Sequence, residues 1–96
     1  MRYVVLGGAG AMGRITVRDL FETARDSEIV IADYNFKNAQ SVARSYHSPR
    51  VKAAFVDVLN LQATTRLLRG AFAVINSVQY EYNLHVMKAA LKAGAH

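Results

Sequence analysis

Short apolar runs alternate with longer stretches in which apolar residues recur three and four positions apart. The runs are "YVVLG", "EIVIAD", "KAAFVDV" and "AFAVINSV". Each is too short for a stable helix and rich in Val, Ile, Phe or Ala, so each predicts a buried strand. Between them, Met12, Ile15, Thr16, Leu20 and Ala24 predict the buried stripe of a first helix, and Phe36, Ala39, Ala43 and Tyr46 that of a second. Leu61, Thr64 and Leu68 predict a short third helix, and Tyr80, Leu84, Met87 and Leu91 a fourth. The punctuation agrees. Asn35 and Asn60 stand where helix N-caps belong, Gly70 and Gly94 where helices end, and Pro49 separates the second helix from the third strand. Strands joined by single helices run parallel, and right-handed crossovers place helices on both faces. The expected architecture is a doubly wound α/β sheet of four strand–helix units, strand order 3-2-1-4.

Glycine usage adds chemistry to that frame. Of six glycines in the chain, four (Gly7, Gly8, Gly10 and Gly13) fall within "GGAGAMG". Gly8, Gly10 and Gly13 have G-x-G-x-x-G spacing, directly after a strand and at the opening of a helix, the context that gives this spacing meaning. Gly8 is expected to turn the chain sharply. Gly10 leaves backbone open to a pyrophosphate, and Gly13 lets the helix pack closely on the strand. Ala11 and Met12, in the first helical turn, join them as candidate contacts because a helix N-terminus presents free N–H groups to phosphate.

The second run ends in Asp33, 20 residues beyond Gly13. That is the offset at which an acid binds adenosine ribose hydroxyls, with a helix N-cap or a solvated strand-end residue as the simpler structural role. The two signals together predict a Rossmann-type site. A carboxylate at Asp33 followed by Tyr34 favours NAD over NADP, whose 2′-phosphate it would repel; Lys37 leaves NADP open. Ligands in such sheets lie off the carboxyl ends of the strands. Asp57 and Val58 are therefore expected to end the third strand near the adenine, with a capping role the alternative for Asp57. Asn76, Ser77 and Val78 are expected to end the fourth beside the nicotinamide half. Asn76 closes an apolar run and needs a partner if buried.

Composition narrows the class further. Hydrophobic residues make up 52% and charged residues 20% of 96, which describes a folded core. No apolar run reaches the roughly 20 residues of a membrane span, and there is no signal-peptide pattern. With no cysteine there is no disulfide or thiolate site, which fits a cytoplasmic setting. The net charge of +5 is dispersed along the chain without a basic run, so an anionic cofactor explains it better than nucleic acid. His47, His85 and His96 lack metal spacing and are read as surface or loop residues. Ser77 lacks a nucleophile elbow, and Tyr80 and Tyr82 either line the pocket mouth or pack as ordinary amphipathic residues. No catalytic constellation is visible.

"YVVLGGAGAMGR", "IVIAD", "FVDVLN" and above all "AVINSVQYEYNLHVMKAALKAGAH" resemble the N-terminal domain of the saccharopine dehydrogenase family. That family includes saccharopine dehydrogenases and reductases, lysine dehydrogenases and carboxynorspermidine synthase. The most specific matches are Val74 to Asn76, Asn83, and Lys88 to His96. The resemblance implies oxidoreduction at a C–N bond, with hydride passing between a nicotinamide cofactor and an amino-acid-derived amine or imine, and a place in lysine-type metabolism. It carries over Gly8, Gly10, Gly13, Asp33, Asp57, Asn76 and Ser77 as cofactor positions. "SVQYEY" departs from the prolines or small residues common there in relatives. A nucleotide-sensing module of the potassium-channel type, or a dihydrodipicolinate reductase-like enzyme, are the alternatives. The resemblance further implies an N-terminal part of a longer enzyme, its substrate domain outside this chain. Such a part is expected to be inactive alone and to self-associate, most simply as a homodimer, along the fourth strand or its flanking helix.

Overall fold

A computed structural model of the chain describes residues 1–76 and 83–94. In order it forms β1 (Arg2–Leu6), α1 (Ala11–Thr23), β2 (Glu28–Asp33), α2 (Phe36–Ser45), β3 (Val51–Phe55), α3 (Leu61–Leu68), β4 (Ala73–Asn76) and α4 (Asn83–Ala93). The sheet is parallel with order β3-β2-β1-β4. β1 is central: Val4 lies beside Val30 of β2 and Val74 of β4.

Because successive strand residues point to opposite faces, each strand feeds two cores. Val4, Leu6, Val30 and Ala32 pack with Leu68 of α3 and Ala89 of α4 on one face. Val5, Ile29 and Ile31 pack with Val17 of α1 and with Ala39, Val42 and Ala43 of α2 on the other. The chain changes face at the α3 crossover, so β1 and β4 flank the switch point where ligands bind in this architecture.

The caps fall where the polar punctuation puts them. Asn35 accepts a hydrogen bond from the Asn38 N–H at 3.1 Å, and Asn60 one from the Ala63 N–H at 3.0 Å. Gly70 and Gly94 follow their helices at φ of 76° and 74°, the left-handed conformation that ends a helix.

The first predicted stripe is displaced, and in the fourth Leu91 alone is seen to be, because Tyr80 and the side chains of Leu84 and Met87 lie outside the described residues. Met12 and Ile15 are 70% and 65% exposed; α1 instead buries Gly13 and Val17, with Leu20 and Phe21 partly buried. The inward side of α1 is set by the glycine that presses on the preceding turn, not by its largest apolar side chains. In α4, Leu91 is 81% exposed and Ala89 fully buried. A small residue at the contact lets the helix approach, a preference hydropathy alone does not register. The third strand is also shorter than its apolar run, ending at Phe55 rather than Val58, because Asp57 starts a turn.

Arg50, just before β3, ties the lower end of the α1–α2 face together. Its Nη1 donates to the carbonyls of Ala24 and Ser27, both at 3.1 Å, and its Nη2 to that of Phe21 at 2.6 Å. The guanidinium carbon lies 4.2 Å from the Phe21 ring centroid. A cation thereby satisfies carbonyls at the negative end of α1. Replacing Arg50 by Ala is expected to cost about 2 kcal/mol, lowering Tm by roughly 8–16 °C in thermal melts. Arg50→Lys should not restore it, since one ammonium nitrogen cannot stand at both the Nη1 and Nη2 positions or lay a planar face on Phe21. A full rescue by Lys would reduce the role to charge alone.

Candidate functional site

The glycine turn runs from the end of β1 into α1, and each glycine meets a different constraint. The sharp turn belongs to Gly7, whose φ is 74°, rather than to Gly8 as the spacing implies. Gly8 is required for space: a Cβ there would stand 2.8 Å from Ile31 Cγ2 and 3.1 Å from the Val5 carbonyl oxygen. At Gly13 a Cβ would stand 2.2 Å from the Gly7 carbonyl oxygen and 2.6 Å from Gly8 Cα, so α1 rests directly on the turn. Gly10 differs. Only the Gly7 carbonyl oxygen, at 3.4 Å, would touch a Cβ there, and the open side faces away from the protein.

Helix α1 begins at that open side. Gly10 is its N-cap and supplies no side-chain cap, in contrast to the asparagine caps of α2 and α3. The first turn carries no acidic residue, and Ala11 and Met12 are exposed. Among the described residues nothing accepts from the N–H groups of Ala11, Met12 or Gly13, which no intrahelical carbonyl can reach. Uncapped donors and a positive helix end over a side-chain-free backbone are what a pyrophosphate requires.

Asp33 ends β2 beside this turn. Its Oδ2 accepts from the Ala9 N–H at 3.1 Å and its Oδ1 from the Asn35 N–H at 3.0 Å. The carboxylate thus bridges the glycine turn and the β2–α2 loop. Each oxygen keeps acceptor capacity beyond these single bonds, so a fixed carboxylate stands at the site's rim for ribose hydroxyls. Tyr34 is 70% exposed and leans on Phe55, ring centroids 5.7 Å apart. Phe55, which its apolar run would assign to the core, is 57% exposed at the end of β3.

Arg14 is the residue the sequence pattern passed over. Its Nε donates to the Ala9 carbonyl at 2.9 Å. Ala9 therefore receives Arg14 on its carbonyl and Asp33 on its N–H, placing a cation and an anion on the two sides of one peptide pair. Arginine immediately after the third glycine was the available signal. Lys37 is exposed in the first turn of α2.

The remaining candidates divide. Asp57 accepts from the Leu59 N–H at 3.0 Å, and its carbonyl accepts from the Thr64 hydroxyl at 3.1 Å, so it builds the turn into α3. Val58 is buried, only 9% exposed as a whole residue, and belongs to the core. Asn76 closes β4 opposite Leu6, next to the start of the glycine turn. It is exposed, so burial does not explain it. Ser77, Val78, Tyr80 and Tyr82 lie outside the described residues. Among the described residues, no three metal-ligating side chains come together, and no helix is long and apolar enough to cross a membrane.

A parallel 3-2-1-4 sheet with an uncapped, glycine-opened helix at its switch point defines a dinucleotide-binding domain of the Rossmann class. Residues 3–96 match the saccharopine dehydrogenase NADP binding domain, and the chain belongs to that family. It is 29% identical over 98% of its length to a carboxyaminopropylagmatine dehydrogenase from Synechocystis, covering 24% of that protein. Its fold superposes with a TM-score of 0.85 on apo saccharopine dehydrogenase (L-Glu forming) from Saccharomyces cerevisiae, at 24% identity, covering 98% of this chain and 20% of that one. An NAD-bound dTDP-glucose 4,6-dehydratase from Streptomyces venezuelae matches with a TM-score of 0.79 at 23% identity, covering 99% of this chain and 37% of that one. The chain thus spans a quarter or less of the two dehydrogenases it resembles.

Proposed function

We propose that this chain is the NAD(P)-binding part of an oxidoreductase that acts on the C–N bond of an amino-acid-derived substrate. The observation that carries the cofactor half is the open N-terminus of α1 above Gly10, with Asp33 held at its rim. The substrate half is supported by family membership and by relatives named as saccharopine and carboxyaminopropylagmatine dehydrogenases. When bound, the nicotinamide supplies the hydride acceptor or donor. The residues of this chain do the holding. The N–H groups of Ala11, Met12 and Gly13 take the pyrophosphate, Asp33 the adenosine ribose, and the exposed end of β4 at Asn76 borders the nicotinamide half.

Cofactor choice follows from charge at the rim. The Asp33 carboxylate favours NAD through its hydroxyls and opposes a 2′-phosphate, while Arg14 and Lys37 are the cations available to accept one. NAD is expected to bind more tightly than NADP in calorimetric titrations. Asp33→Ala combined with Tyr34→Arg should shift the ratio toward NADP by about tenfold, equal to about 1.4 kcal/mol. Arg14→Ala in that background should remove part of the gain. A wild-type protein that already prefers NADP tenfold would show that Arg14 and Lys37 outweigh Asp33. Loss of Asp33 also frees the Ala9 and Asn35 N–H groups, so the double variant should melt several degrees lower.

A further inference from the structure

Basic residues that look dispersed along the sequence converge in the fold. Arg66 and Arg69 of the α3 end and Lys92 of α4 line a groove of about 390 Å³ with Gln62 and Thr65. Lys88 precedes Lys92 by one helical turn and is exposed on the same side of α4. Arg2, at the start of β1, donates from Nη2 to the Arg69 carbonyl, and its Nε is buried without a partner. These five account for the whole net charge of +5, because the seven other basic side chains equal the seven acidic ones in number. Neither α3 nor α4 contains an acidic residue, and neither ion pair among the described residues, Arg18–Glu22 and Lys52–Glu28, involves any of the five.

Helix-end compensation is the structural explanation to beat. Arg66 and Lys92 do lie in last turns, but two helix C-termini supply only about half a negative charge each. Most of the positive charge is left unanswered. Thr65 supplies a second, independent observation: the residue is 6% exposed, and its hydroxyl is buried without a hydrogen-bond partner among the described residues at the groove wall. Helical threonines populate two χ1 rotamers, which gives that hydroxyl a route to a ligand. The groove runs along α3 from Gln62 in its first turn to Arg69 at its end; its cationic residues Arg66, Arg69 and Lys92 stand toward the C-termini of α3 and α4, at the opposite end of the sheet from the glycine turn.

We propose that the α3–α4 groove binds a small phosphate-bearing molecule, with Arg66, Arg69 and Lys92 as its cationic contacts and Gln62 and Thr65 as neutral ones. The groove's volume suits a small molecule rather than a lone ion, and guanidinium forks match phosphate oxygens. The test is an amide-resolved NMR titration of the full chain with pyrophosphate, against sodium chloride at equal ionic strength and against citrate. A Gly10→Val background keeps pyrophosphate from the glycine turn. Shifts are expected to cluster at Gln62, Thr65, Arg66, Arg69 and Lys92. Arg66→Gln with Arg69→Gln, both exposed positions, should weaken the affinity by at least about tenfold while the rest of the spectrum stays folded. Equal shifts with chloride, equal affinity for citrate, an unchanged affinity in the double variant, or much tighter binding of a long oligonucleotide would each overturn the proposal.

Discussion

Gly13→Ala is expected to destabilise the protein more than any other single-methyl substitution in the glycine turn. The added Cβ would stand 2.2 Å, 2.6 Å and 2.9 Å from Gly7 O, Gly8 Cα and Gly7 C. All three are backbone atoms, so no side-chain rotation relieves the overlap. The turn cannot retreat either: the Gly7 N–H donates to the Ala32 carbonyl at 2.8 Å, and the Gly10 N–H to the Gly7 carbonyl at 3.1 Å. The remaining response is for α1 to lift away, which draws the fully buried Val17 out of the core. Overpacking of this kind costs about 3 kcal/mol or more. Total stability for a domain of this size is roughly 5–15 kcal/mol. A loss of that size lowers Tm by roughly 12–24 °C, and circular dichroism melts measure it directly. A shift of only a few degrees would mean that α1 does not rest on the turn as described.

The same residue shows how far the sequence was legible. Spacing identified Gly13 as a close contact, and the contact is there. What spacing could not supply was its consequence for the rest of α1, where the glycine decides the inward face and turns Met12 and Ile15 outward. The four strands, the four helices and the caps at Asn35 and Asn60 were legible because each rests on a local rule: run length, apolar period, or a side chain reaching its own helix. The order 3-2-1-4 goes with the glycine motif, since right-handed crossovers alone fit other orders. The sharp turn falls on Gly7 and not on Gly8 because G-x-G-x-x-G counts begin one residue later, whereas the left-handed φ belongs to the first glycine of the pair. Arg14 and the α3–α4 basic cluster were missed for a different reason. Arg14 carries a local signal, its place directly after Gly13, but its hydrogen bond to Ala9 is visible only in the folded turn, and Arg2 meets Arg69 across 67 positions, a relation that no linear pattern encodes.

Gly10→Val is expected to abolish dinucleotide binding and leave the fold in place, the reverse of the Gly13 outcome. At Gly10 the backbone is extended, with φ −76° and ψ 170°, a conformation open to any L residue. A Cβ would make one ordinary contact, 3.4 Å from the Gly7 carbonyl oxygen. The structural penalty is then confined to the poorer N-cap propensity of valine, about 1 kcal/mol, or a Tm decrease of roughly 4–8 °C. The added isopropyl group fills the space in front of the Ala11, Met12 and Gly13 N–H groups. Excluding the pyrophosphate from two such donors removes charge-assisted hydrogen bonds of about 1.5–3 kcal/mol each. Affinity for NAD should therefore fall by at least about 100-fold. Calorimetric titration and a thermal melt on the same preparation read the two effects separately. An unchanged affinity in a folded Gly10→Val protein would move the pyrophosphate away from this turn. A collapse of the melt would mean that Gly10, like Gly13, is held by packing rather than left open for a ligand.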